Sequence, residues 1–153
     1  MKPSDAFAIC HEIYVAAREL VDARLPTTQL QTSSKFLWRP DLHPRLVEYV
    51  ADFARAGERA LASVPGVSRP SRVPLRASRL ILFRMYYLGG AEYHAARRML
   101  GISELTWADW AGEIRDRVGR ELLRAGIFPP GRYFREMSSE RGGIFPKAIG
   151  GEK

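Results

Sequence analysis

The chain has 153 residues, of which 46% are hydrophobic and 27% charged, with a formal net charge of +7. That composition excludes a disordered polymer, and the length suits either one good-sized core or two small helical subdomains; two subdomains are expected. There is no apolar run of about 18 residues to span a bilayer and no basic-then-apolar leader after Met1, so a cytoplasmic protein with no membrane partner is expected.

The first helix is expected from about Ser4, a plausible cap with Asp5 in the first turn, to about Leu25, where Pro26 stops it. Phe7, Cys10, Tyr14, Ala17 and Val21 recur at spacings of three and four, flanked by Ile9, Ile13 and Leu20, and form a broad amphipathic stripe. Cys10 is the single cysteine, so it closes no internal disulfide, and its apolar neighbours make it a buried helix position rather than a reactive thiol. Residues 26–40 read as a loop with one apolar knot, Phe36-Leu37-Trp38, in which Trp38 plugs the seam between the first two helices.

A second helix is expected from about 41–44 to Val64, with a core face of Leu46, Val47, Val50, Phe53, Ala54 and Leu61 and a weak middle at Gly57. The two helices make an antiparallel hairpin over residues 1–64, a packing or dimerisation unit. Residues 65–74 hold three prolines and a glycine and form the linker. Its Arg69 and Arg72, followed by Arg76 and Arg79, either track a nucleic-acid backbone or belong to a solvated connector.

A subdomain over 75–135 follows. Its first helix, Leu75 to Leu88, is apolar on more than one face and reads as the central buried one, ended by Gly89-Gly90. Ala91 to Leu100 forms the next helix, with Ala96, Met99 and Leu100 facing one way. After Gly101, Ser103 caps a long helix to about Ala125, with Trp107 and Trp110 on its core face and Gly126 as its stop. The aromatic, proline-bound stretch Ile127–Phe134 is expected to fold back on this three-helix core, and residues 136–153 to form a flexible basic tail.

Acids and bases balance over residues 1–64, so the whole +7 falls on 65–153. That suits a phosphate-rich partner; the other reading is an ordinary arginine-rich surface. His11, His43 and His94 lie on separate segments without metal-ligand spacing, there is no phosphate-binding glycine loop and no serine elbow, and neither enzyme activity nor a cofactor is expected.

Residues 78–118 resemble the helix-turn-helix superfamily, most nearly region 4 of bacterial sigma factors and similar phage-borne regulators. The resemblance rests on Leu100-Gly101-Ile102-Ser103, on Thr106, and on Trp107 and Trp110 six and nine positions after the glycine. It departs from the family pattern at Arg97, four positions before the glycine, where a small residue is usual.

The resemblance implies an all-α regulator of bacterial or phage origin that docks on double-stranded promoter DNA. Ser103, Glu104, Leu105, Ala108 and Asp109 would line the groove, and Arg97, Arg98, Arg115, Arg117, Arg76 and Arg79 would anchor phosphates. Because Glu104 and Asp109 also repel phosphates, a factor that contacts RNA polymerase, such as a late-gene antiterminator, stays open, as does a helical protein-interaction adaptor; a homodimer through the first hairpin is allowed but not required.

Overall fold

The computed structural model describes residues 1–23, 38–39, 45–62, 77–133 and 135–136. The fold is all-α, built from α1 (Pro3–Ala23), α2 (Arg45–Ala62), α3 (Arg79–Leu82), α4 (Tyr93–Leu100) and α5 (Glu104–Arg124). Helix α3 runs on as a wider π-helical turn over Phe83–Leu88, in which the Gly89 N–H reaches back to the Arg84 carbonyl at 2.9 Å. Among the described residues the only strand pairing is a two-residue antiparallel rung, β1 (Trp38–Arg39) against β2 (Arg135–Glu136), with Trp38 opposite Glu136. The expected linker with Arg69 and Arg72, together with Arg76, His43, the plugging side chain of Trp38 and the tail beyond Glu136, lies outside the described residues and side chains.

The chain divides into two compact units, one of Met1–Phe7 with Ala54–Ala125 and one of Ala8–Phe53 with Gly126–Lys153. This differs from the partition at 64 and 75 that the linker suggests. In the first unit the start of α1 and the end of α2 are bound in with α3 to α5 by two close backbone approaches. A Cβ on Gly57 would lie 2.0 Å from Phe83 Cζ, and one on Gly119 would lie 1.9 Å from the Pro3 carbonyl oxygen. Gly57, a weak point by helix propensity, is thus where the Phe83 ring lies against the α2 backbone. Phe7 meets Tyr87 edge-on with ring centres 5.1 Å apart, and Leu82, Phe83, Ala96, Ile114, Val118 and Leu122 complete a closed core.

The second unit is built on aromatic rings. Ile9, Cys10, Ile13, Tyr14, Ala17 and Leu20 are buried, as the stripe on α1 predicts. Tyr14 stacks on Phe53 at 4.8 Å, and the Tyr49 hydroxyl donates to the Cys10 carbonyl at 2.7 Å. Burial pushes the Cys10 thiol up to about 12, which leaves it protonated and unreactive at neutral pH.

Two expectations about α2 and the tail are corrected here. Val47 is 57% exposed, and Tyr49, not expected inside, is fully buried, because Leu46, Tyr49, Phe53 and Ala56 share one face at spacings of three and four. The stretch after Gly126 belongs to the second unit rather than to the three-helix core. Tyr133 packs edge-on against Tyr49 at 5.1 Å and donates from its hydroxyl to Asp52 Oδ2 at 2.6 Å, while Arg45 Nη1 donates to the Arg132 carbonyl at 2.5 Å. A buried phenol needs a polar partner, and the Asp52 carboxylate supplies it.

Candidate nucleic-acid interface

Helix α4 is capped by Glu92, whose carboxylate accepts from the N–H groups of His94 and Ala95, each at 3.0 Å. Those two bonds hold the Glu92 carboxyl below the usual carboxylate range. The helix ends at Gly101, with φ 69° and ψ 35°, a left-handed conformation that glycine adopts without penalty. The Gly101 N–H donates to the carbonyls of Arg97 (2.8 Å) and Arg98 (3.1 Å), and the Ile102 N–H to that of Arg97 at 3.4 Å. That pairing is a Schellman close, and it turns the chain within three residues.

Ser103 then caps α5. Its extended backbone lets Oγ accept from the Thr106 N–H at 3.1 Å, and its hydroxyl donates to Thr106 Oγ1 at 3.1 Å. The hydroxyl thus donates once and accepts once in starting the helix, which gives Ser103 a capping role.

Behind the turn the two tryptophans are buried, as expected. Trp107 is held edge-on by Tyr86 and Tyr93, with ring centres 5.0 Å away in each case, and the Arg79 guanidinium lies 5.0 Å from the centre of the Trp110 ring. Of the apolar residues on α4, Ala96 and Leu100 face inward one turn apart, but Met99 is 74% exposed and does not join the stripe.

The outward face of the first two turns of α5 carries Glu104, Leu105, Ala108 and Asp109, all exposed, with Leu105 at 83%. Among the described residues neither Glu104 nor Asp109 forms an ion pair. Gly112 continues this face one turn on. A Cβ there would meet nothing nearer than Arg115 Nη2 at 3.8 Å, so the backbone is open to close approach. Gly112 carries no motif of its own in the sequence, and its position four after Ala108 is the signal that places it on this face.

The six arginines expected on phosphates separate into distinct environments. Arg79 Nε donates to Glu113 Oε1 at 2.6 Å and Arg117 Nε to Glu113 Oε2 at 2.9 Å, so the two share one carboxylate. Arg97 clamps the turn, donating from Nη1 to the Ile102 carbonyl at 3.2 Å with its guanidinium 5.8 Å from the Tyr93 ring centre. Its Nε is buried without a hydrogen-bond partner among the described residues. The large residue four positions before the glycine is therefore accommodated by giving its charge to the turn.

Arg98 and Arg115 are exposed. Arg98 lies close enough to Glu92 to help hold that carboxyl down, and Arg115 lies beside the Tyr87 hydroxyl. Arg76 is outside the described residues. Farther along α5, Arg120 pairs with Asp116, and Arg59 and Arg124 converge on Glu121 at 2.9 and 2.6 Å. These arginines hold the Glu121 carboxyl at about 2.

No group of three or more metal-ligating side chains occurs among the described residues. No described helix is long and apolar enough to cross a membrane. The chain matches no family model, no curated protein and no solved structure.

Proposed function

We propose that α4, the Gly101 turn and α5 form a DNA-docking unit of a bacterial or phage transcription regulator acting in the cytoplasm, with the first two turns of α5 laid in the major groove of double-stranded promoter DNA. The observation that carries this reading is the outward face from Glu104 to Gly112: exposed, narrow enough at Ala108 and Gly112 for close approach, and held rigid from behind by Trp107 and Trp110. Arg98 and Arg115 flank that face as phosphate anchors, while Arg79, Arg97 and Arg117 serve the fold.

A salt series of gel shifts with the full chain on promoter fragments tests it. Affinity should fall with salt, and Arg98→Ala or Arg115→Ala should each flatten the log–log slope by about 0.9. Arg117→Ala should change the slope less, since its guanidinium is held on Glu113 rather than free to reach a phosphate. Binding that does not depend on salt overturns the proposal.

A second reading, docking on RNA polymerase, is favoured by exposed Met99 and Leu105 and by Glu104 and Asp109, which form no ion pair among the described residues. Recovery of polymerase by the full chain in the absence of DNA, lost in Leu105→Ala, would select it.

A further inference from the structure

The outward face of α5 carries an unusual set of groups for reading DNA, and their chemistry limits which bases they can accept. Glu104 and Asp109 only accept hydrogen bonds, Leu105 and Ala108 are aliphatic, and Gly112 has no side chain. The nearest hydroxyl donor, Ser103, is turned onto Thr106 Oγ1. No arginine, lysine, asparagine or glutamine stands on this face between Glu104 and Gly112.

In the major groove guanine offers two acceptors, N7 and O6, which suit arginine or lysine and meet a carboxylate unfavourably. Adenine sets its N6 amino donor beside the N7 acceptor, which meets a carboxylate unfavourably, whereas cytosine offers the N4 amino donor and thymine a methyl group, which suit a carboxylate and an aliphatic side chain respectively. The arrangement on the helix adds a register. Four-residue spacing stacks Glu104 over Ala108 and Leu105 over Asp109, so acid and aliphatic groups alternate across two adjacent turns. Four residues advance the helix by about 6 Å, somewhat under two base-pair steps.

Resting on the DNA-docking reading above, we infer that α5 reads a short run of pyrimidines on one strand, with cytosine amino groups against Glu104 and Asp109 and thymine methyl groups against Leu105 and Ala108. Guanine on that strand is rejected by the two carboxylates. Gly112 lets the helix axis seat deeply enough for the short Ala108 and Asp109 side chains to reach the base edges.

The test is selection of duplexes from a random pool by the full chain, followed by base-analogue substitution in the enriched site. The enriched site should contain adjacent C and T. Replacing its thymines by uracil, which removes only the methyl, should weaken binding about fivefold or more, and Leu105→Ala should reduce that difference, leaving the part that Ala108 contributes. Asp109→Asn, which adds a donor at constant shape, should shift the preferred base from cytosine to adenine. Because all four side chains are exposed, the variants should keep the parent's helical circular dichroism, which is measured alongside.

An enriched site in which 7-deazaguanine abolishes binding while uracil has no effect overturns the inference and leaves the DNA-docking reading intact. So does salt-dependent binding with no enrichment. Absence of salt-dependent binding overturns that reading itself, and the inference with it.

Discussion

The two halves of α5 use the same residue types in opposite ways. From Glu113 to Arg124 the carboxylates are paired: Glu113 with Arg79 and Arg117, Asp116 with Arg120, Glu121 with Arg59 and Arg124. From Glu104 to Gly112 the carboxylates stand exposed beside aliphatic groups, with no ion pair among the described residues. The rear half closes its three carboxylates on arginines of its own unit and is buried at Val118 and Gly119, whereas the front half leaves Glu104 and Asp109 without an ion pair among the described residues. Charges that are already paired contribute to the fold, and charges without partners are what a helix can offer to something else.

Four measurements test this contrast. Trp107→Ala should have the largest effect, since it empties the space between Tyr86 and Tyr93 that supports the front half. A loss of about 3–5 kcal/mol in chemical denaturation is expected, and any nucleic-acid binding should go with it. Gly119→Ala should follow at about 1–3 kcal/mol, because the new methyl collides with the Pro3 carbonyl, which is backbone and cannot rotate away. A Gly119→Ala protein with unchanged thermal stability would mean that the rear half does not pack against the start of α1.

Glu121→Gln should cost about 1 kcal/mol at pH 7, discounted because both partner arginines are about half exposed or more. Its sign follows from a carboxyl held at about 2 in the folded protein against an ordinary 4.5. The stabilisation is complete above pH 4.5 and disappears as pH falls towards 2, so the unfolding curves of parent and variant should converge over that interval. Parallel curves across it would show that the rear pairing contributes nothing. The smallest effect is expected for Leu105→Ala, within about 0.5 kcal/mol of the parent in stability, because the side chain is exposed. A larger loss would mean that the front half is structural after all.

What was legible in the sequence follows the range of the interactions. The turn could be read because every bond that makes it is local: Gly101 to Arg97 and Arg98, and Ser103 to Thr106. The helix periods that bury Cys10, Ile13, Tyr14 and Ala17 on α1, and Trp107 and Trp110 on α5, are local in the same sense. The arginines could not be sorted this way. Arg79 finds Glu113, Arg84 grips Glu58 through two bonds of 2.7 Å, and Arg59 reaches Glu121, across 34, 26 and 62 residues respectively. Val47 and Tyr49 stand on opposite sides of Leu46, Val50 and Phe53 around α2, so periodicity alone does not choose between them; packing buries Tyr49 and leaves Val47 57% exposed. Nor did the tail's aromatic content say which surface would receive it; Tyr133 is held by Asp52.

By itself the sequence determined an all-α chain, the positions of α1, α4 and α5, and a capped turn at Gly101 that presents Glu104, Leu105, Ala108 and Asp109 outward, because backbone caps and 3.6-residue periodicity act over a few residues. Which charges are paired, and which glycines sit at a close approach, depends on how distant segments pack. An ion pair or a backbone approach between distant segments exists only once packing has brought them together, as it has for Arg79 with Glu113 and for Pro3 with Gly119.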